Sequence, residues 1–251
     1  HGSNQLLMKK NLLNSIIENV KTIFYALIIA VIIRSLFFQP FYIPSSSMEP
    51  TLLIGDRIFV SKYSYGYSKH SFPFSPPLYN KRIFEKKPKR GDLVVFKTPA
   101  DNRTDYIKRL IGIPGDTIQF SNNEILLNEK AIKRKIYDLK TNIRCGPFNS
   151  KYNFFIEALP NGIEYIAAYN KNNTYENNKI FVVPDDHYFF MGDNRDCSND
   201  SRIDVGYVHK LNLVGKAQII FFSNDTVSGS IFKFWNWGQS LRIKRSFKLL
   251  K

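Results

Sequence analysis

Cysteine and histidine are scarce in this chain. Only Cys145 and Cys197 occur among 251 residues, which excludes a disulfide-scaffolded fold; a chain this long buries a core of its own without one. Two cysteines far apart in sequence give no framework to argue from, and two free thiols are favoured over one disulfide. The four histidines, His1, His70, His187 and His209, lack metal-ligand spacing, so no metal site is expected. His187, beside Asp185 and Asp186, reads as a polar strand entrance. No glycine-rich phosphate loop is present, and no cofactor is implied. Acidic residues are outnumbered, 21 against 36 Lys and Arg, for a net charge of +15 and a pI near 9.7. That balance suits nucleic acid or an anionic bilayer surface.

Position decides for the bilayer and against nucleic acid. "TIFYALIIAVII", Thr22 to Ile33, runs into "RSLFFQPFYIP", and together they approach the roughly 20 apolar residues a spanning helix needs. Arg34 near one end does not veto a span, because its guanidinium can snorkel to the interface. A cleavable secretory signal is the competing reading. Leu36, Phe37, Phe38 and Phe41 stand where small residues of a cleavage site would be, so an uncleaved anchor is expected. "HGSNQLL" before Met8 looks like the remnant of an expression tag. Lys9, Lys10 and Lys21 precede the span and place the N-terminus in the cytoplasm, with the residues beyond the span on the outer side.

Beyond the anchor the pattern changes to short β-rich runs punctuated by Gly, Pro, Asn and Asp. "RIFVSKY", "DLVVFK", "DYIKRLIGI", "DTIQF", "EILLN", "EYIAAY", "KIFVV", "HYFFMGD" and "LVGKAQIIFF" read as strands, with "RGD", "PGD" and "NNE" as turns. The expected fold is mainly β: an antiparallel catalytic core with a peripheral β-rich insertion, behind an N-terminal transmembrane helix. The divisions expected are a tag remnant at 1–7, a cytoplasmic segment at 8–21, the anchor at 22–39, a first core part at 40–120, an insertion at 121–179, a second core part at 180–224 and an aromatic, basic segment at 225–251. Ser64 to Arg90 is proline-rich and basic, as an extended loop or ribbon over the surface would be. The ending "IFKFWNWGQSLRIKRSFKLLK" suits either a segment at lipid headgroups or a Trp pair closing the core before a frayed tail.

"IPSSSMEPTLLIGD", Ile43 to Asp56, comes directly after the anchor. Serine and proline initiate turns, and Gly55-Asp56 can close one, so alone the stretch reads as a surface loop. A serine nucleophile needs a base within hydrogen-bonding reach, and no histidine here has a convincing local signature. Lysine can serve if burial leaves it neutral. Lys108, in "DYIKRLIGIPGD", falls in an apolar strand-like run, and alternation sends it and Arg109 to opposite faces. A lone strand lysine is ordinarily solvated.

"PSSSMEPTLLIGD", "RGDLVVFK", "DYIKRLIGIPGD" and "MGDNRDCSNDSR" occur in this order behind an anchor. Together they resemble the conserved boxes of bacterial type I signal peptidases, the leader peptidases; Ser64 to Arg90 and Ser121 to Asn178 have little share in the match. The resemblance implies a membrane-anchored Ser/Lys endopeptidase of exported preproteins, near the secretion translocon, at the cytoplasmic (inner) membrane and in contact with anionic phospholipids. It makes Ser47 the nucleophile and Lys108 the general base. Ser45 and the Ser47 N–H would form the oxyanion hole, and Ser198 would orient the lysine. Arg109, Asp193, Asp200 and Arg202 would brace the site. Phe41, Ile43, Met48, Leu52, Tyr106 and Ile107 fall where the family lines its pockets for small substrate side chains. Two positions depart from the pattern: Ser46, where glycine is frequent, and Cys197, where asparagine is frequent. Neither removes a catalytic group, but a side chain at 46 limits the backbone angles beside the oxyanion hole.

Two other functions compete. LexA-like self-cleaving regulators use a Ser/Lys pair on a related β fold, but would need a DNA-binding domain and an internal scissile segment where the span lies. A non-enzymatic anchored β-domain could bind peptides or nucleic acid through its charge, and would be indifferent to loss of Ser47.

Overall fold

The computed structural model describes residues 2–73, 75–77, 80–121, 124–141, 143–145, 148–149, 151–170, 177–225 and 240–250. One long helix, α1 (Gly2–Leu36), opens the chain. Its Asn11–Leu36 part is long and apolar enough to cross a membrane and buries none of that apolar surface against the protein. The helix begins before the expected anchor and ends inside it. Gln39, assigned to the anchor from the sequence, belongs instead to a strand, because the backbone from Phe38 pairs with a neighbouring strand and Pro40 cannot continue a helix.

The strands are β1 (Phe38–Tyr42), β2 (Asp56–Ser61), β3 (Leu93–Lys97), β4 (Asp105–Gly112), β5 (Thr117–Ser121), β6 (Glu124–Leu127), β7 (Lys130–Ala131), β8 (Lys133–Tyr137), β9 (Arg144–Cys145), β10 (Phe148–Asn149), β11 (Tyr152–Ala158), β12 (Glu164–Asn170), β13 (Asn177–Val182), β14 (His187–Met191), β15 (Val208–His209), β16 (Leu213–Ser223) and β17 (Lys248–Leu249). The main sheet runs β1-β2-β16-β3-β4-β14-β15, with β17 added to β16. Every strand pair among the described residues is antiparallel, in keeping with the short runs and tight glycine turns. β13-β5-β6-β7, β12-β11-β8 and the short β10-β9 pair form three further sheets among the described residues. Pro40 is tolerated because β1 is an edge strand.

Four apolar clusters support these sheets among the described residues, the smallest of them Ile143, Phe154 and Ala168. Ile43, Met48 and Leu52 pack with Ile58, Val60, Val95 and Ala217 beneath the serine-rich loop. Val94, Phe96, Leu110 and Phe190 form a second cluster on the opposite face of β3 and β4. Ile111, Phe120, Tyr165, Phe189 and Met191 join the main sheet to the strands packed against it. Alternation along β3 and β4 divides these side chains between the two faces.

The Ser64–Arg90 stretch is more deeply seated than a surface ribbon. Arg82, 9% exposed, donates to the carbonyls of Gly66 at 2.8 Å, Lys210 at 2.8 Å and Leu213 at 2.5 Å, and Ser68, His70 and Ser71 are buried. The end of the chain is not a frayed tail either. β17 pairs with β16, and Arg245 holds the buried Asp56 carboxylate at 2.6 Å. Trp235 and Trp237 lie outside the described residues.

Candidate active site

The serine-rich loop spans β1 and β2 and is held from below. Ile43, Met48 and Leu52 are no more than 2% exposed, and full burial of such side chains is worth about 1.5–3 kcal/mol each. Ile43 N–H donates to Asp56 O at 2.9 Å, and Leu53 N–H to the Asp56 carboxylate at 2.9 Å, closing the loop on itself. From above, Asn194 N–H donates to Ser47 O at 3.1 Å and its side-chain amide to Ser46 O at 3.2 Å. Apolar pegs and two backbone clamps thus fix Ser47, which is itself buried.

Lys108 reaches this serine from β4, where it lies opposite Val94. Its Nζ is 2.6 Å from Ser47 Oγ. The ammonium donates at that separation, and a neutral amine would accept the hydroxyl proton across the same gap. Lys108 is 4% exposed. Burial lowers its pKa to about 8, Arg202 adds to the lowering, and Asp200 and Asp193 oppose it. Ser45, exposed at the rim, places its Oγ 3.3 Å from Ser47 Oγ.

The charged residues expected around the pair form two bidentate ion pairs. Arg109 donates through Nε and Nη2 to the two oxygens of Asp193 at 2.8 and 2.7 Å, and through Nη1 to Gly91 O. Arg202 grips Asp200 likewise, at 2.8 Å twice. Burial pushes the Asp200 carboxyl up, but the Arg202 charge and bonds and the Gly192 N–H outweigh it, and the pKa is lowered. Both pairs are almost wholly excluded from water, where breaking a pair costs about 3–5 kcal/mol. Ser198 is placed differently from what the resemblance implies. Its hydroxyl is buried and makes no hydrogen bond, although it lies close enough to Asp200 to favour the carboxylate. The side-chain bond of the Lys108 amine goes to Ser47 instead.

A groove of about 410 Å³ runs past the pair. Of the residues expected to contact substrate, Phe41, Ile43, Met48, Tyr106 and Ile107 line it. Leu52 does not; it is completely buried in the cluster below. The groove also has an open strand edge. β14 pairs with β4 only from Arg109 onward, whereas β3 pairs with Asp105 to Arg109 on the other side. The outer edge of β4 from Asp105 to Lys108 is therefore unpaired among the described strands, and can take an extended peptide.

The structure overturns the free-thiol expectation. Cys145 and Cys197 form a disulfide, their Cα atoms 5.6 Å apart despite a separation of 52 residues. Spacing carries no information about such a long-range approach. Cys197 lines the groove next to Ser198, so the bond fastens β9 to the rim of the site.

Sequence reasoning missed three supports. Gly192 is packed so tightly against Ser47 and Ser198 that a Cβ there would lie 2.5 Å from Ser47 O; the signal was a glycine directly after an apolar strand run. Thr51 donates to Asp193 at 2.5 Å. Arg195 joins Glu157 of β11 at 2.8 Å and bonds the hydroxyls of Tyr165 and Tyr169, tying the loop after β14 to the β11-β12 sheet. Arg195 lay inside a matched box, but its partner lay where no motif was visible.

Residues 16–222 match the family described as signal peptidase, peptidase S26. The chain is 44% identical to signal peptidase I of Rickettsia typhi over 243 residues, covering 90% of each chain. It is 43% identical to signal peptidase I of Rickettsia prowazekii, again covering 90% of each chain. A crystal structure of a signal peptidase I from Enterococcus faecalis aligns at 28% identity with a TM-score of 0.33, covering 52% of this chain and 97% of that one.

Proposed function

The chain belongs to the signal peptidase family, peptidase S26, and on that footing we propose that Ser47 and Lys108 carry out the hydrolysis by which it removes signal peptides from preproteins. It is a membrane-anchored peptidase, with α1 as the membrane-capable helix. The observation that carries the residue assignment is the buried 2.6 Å contact between a serine hydroxyl and a lysine whose pKa burial lowers to about 8.

The substrate lies extended along the open edge of β4. Neutral Lys108 accepts the Ser47 proton as Oγ attacks the scissile carbonyl carbon. The resulting oxyanion takes hydrogen bonds from Ser45 Oγ–H and the Ser47 N–H, which has no acceptor among the described residues. One such donor is typically worth about 2.7–4 kcal/mol. Protonated Lys108 passes its proton to the departing amine, leaving an acyl ester on Ser47. Water, deprotonated by Lys108, then cleaves the ester and releases the signal peptide. Arg109–Asp193 and Arg202–Asp200 fix the walls of the site. Ser198, buried beside Asp200, is a positioning residue through that carboxylate.

The anchor confines the enzyme to the surface where its substrates are inserted, which raises their effective concentration. Lys9 and Lys10 before the membrane-capable stretch, with Lys21 in its first half, support a cytoplasmic N-terminus, a catalytic domain on the outer side of the inner membrane, and work close to the translocon. Anionic phospholipids are the matching partner for a chain of this charge. Cleavage of a preprotein by wild type, Ser47→Ala, Lys108→Ala and the double variant tests the reading. Each variant is expected to lose roughly 10³-fold or more in kcat, without additivity. Substantial turnover by either single variant removes the dyad.

A further inference from the structure

A second cavity, of about 570 Å³, opens beside the groove and shares Phe41 and Asp105 with it. It is lined by Arg34, Lys62, Lys69, Lys97 and Arg103 against two acidic residues, Asp101 and Asp105. Both acids are engaged: Asp101 accepts from Thr98 Oγ1 and from the N–H groups of Arg103 and Thr104, and Asp105 pairs with Lys97 at 2.8 Å. The remaining cations have much less to hold. Lys62, 2% exposed, has one hydrogen bond, to Ser71 O at 2.5 Å. His70, also lining the cavity, is buried; its Nδ1 lies 3.0 Å from Ser75 Oγ, and its Nε2 has no partner. If the Ser75 hydroxyl donates to Nδ1, Nε2 carries the proton and is a buried donor without an acceptor, which costs about 1–3 kcal/mol.

The cavity stands where the apolar helix leaves the membrane. Arg34, on its wall, is in the last turn of α1. Tyr67 Oη caps the helix end by donating to Leu36 O at 2.8 Å. Phe37, Phe38 and Tyr63 are 49%, 38% and 41% exposed beside this end, and exposed aromatics concentrate at the headgroup level of a bilayer. Phe72 and Pro73 add apolar wall to the cavity.

We propose that this cavity binds the phosphate of a membrane phospholipid headgroup, with Lys62, Lys69 and Arg103 as its donors. The inference rests on the membrane-anchored reading, because only a membrane at the end of α1 presents a lipid to the cavity. An anion there offsets the cost of burying the Lys62 ammonium, whose pKa burial lowers to about 8, helped by Arg34. The bound headgroup would sit against Phe41, holding the groove at a fixed height above the bilayer.

Native mass spectrometry of the full chain in detergent tests this, with three probes: a short-chain phosphatidylglycerol, inorganic phosphate, and the matching diacylglycerol without phosphate. One phosphatidylglycerol per chain is expected, with affinity falling about thirtyfold for Lys69→Gln with Arg103→Gln, and about fivefold for Arg103→Gln alone. Arg103 is exposed, so the single variant carries the test should the double one misfold. Undiminished binding by the variants, or no binding by wild type, overturns the proposal. Equal retention of diacylglycerol removes phosphate recognition, and inorganic phosphate binding as tightly as the lipid removes the lipid source. A soluble preprotein fragment should be cleaved by these variants at the wild-type rate. Failure of the Ser47 and Lys108 assignment appears separately, in cleavage by Ser47→Ala, and leaves the lipid measurement intact.

Discussion

Ser46 Oγ lies 3.7 Å from Cys197 Sγ, so the two positions at which the sequence departs from its family's pattern touch each other at the rim of the site. The extra hydroxyl at 46 faces the disulfide that replaces the more frequent asparagine. These two changes belong to one local arrangement, and Cys145 is its third member.

Opening that disulfide should loosen the loop that carries Ser198. Cys145→Ser with Cys197→Ser is expected to lower stability by about 2–4 kcal/mol in urea unfolding, and to reduce kcat more than it raises KM. Dithiothreitol should slow the wild type toward the double variant and leave the variant unaffected. Equal loss in both would mean that the reductant acts elsewhere.

With Lys108 as the proposed base, its titration should set the pH profile. Its amine is the working form, so activity should rise as pH increases through about 8 and flatten above it. Lys108→Arg, which stays protonated, should be inactive across the range. A midpoint near 6.5 that disappears on replacing His187 or His209 would identify a different base.

Gly192→Ala puts a methyl group against the Ser47 carbonyl and the Ser198 side chain. Displacing the nucleophile by even 1 Å can cost about 10²-fold. A fall in kcat of that order is expected, with a stability loss of about 1–3 kcal/mol from the overpacking. A stability loss large enough to unfold the chain would show the glycine to be a packing requirement alone.

Specificity should be read along the open edge of β4. A substrate strand sends alternate side chains into the groove, so the first and third residues before the cut should be small, as in Ala-x-Ala. Replacing either by Leu or Phe should abolish cleavage, while the residue between them tolerates change. Equal rates for Ala and Phe at the first position would remove the assignment of Phe41, Ile43, Met48, Tyr106 and Ile107. Leu52→Ala, below the groove, should leave this preference unchanged and cost about 2–5 kcal/mol in stability.

Orientation is tested in sealed vesicles. Protease added outside should digest the domain after about Pro44, and protease inside should not. The opposite pattern would contradict the positive-inside assignment.

Much of the core was legible in the sequence because its chemistry is local. Short β-rich runs between turn residues marked β2, β3, β4, β14 and β16, and the turn glycines Gly91 and Gly115 adopt the positive φ that the turns require. An apolar stretch without acidic residues marked α1, though its end at Leu36 was settled by strand pairing. β11, "YNFFIEA", was hidden among Asn and Lys residues, because its register depends on β8 and β12 on either side of it. The sequence put Ser47 and Lys108 in recognisable boxes 61 positions apart. Only the packing of Met48 and Leu52 below and Asn194 above brings them within hydrogen-bonding distance. Burial, too, is a tertiary quantity: the same lysine on a solvated strand would keep its ordinary pKa. The Cys145–Cys197 bond, the Arg195–Glu157 pair and the basic cavity at the end of α1 each join segments distant in the chain. No local pattern encodes such approaches, because they arise from how the sheets stack and not from the residues beside them.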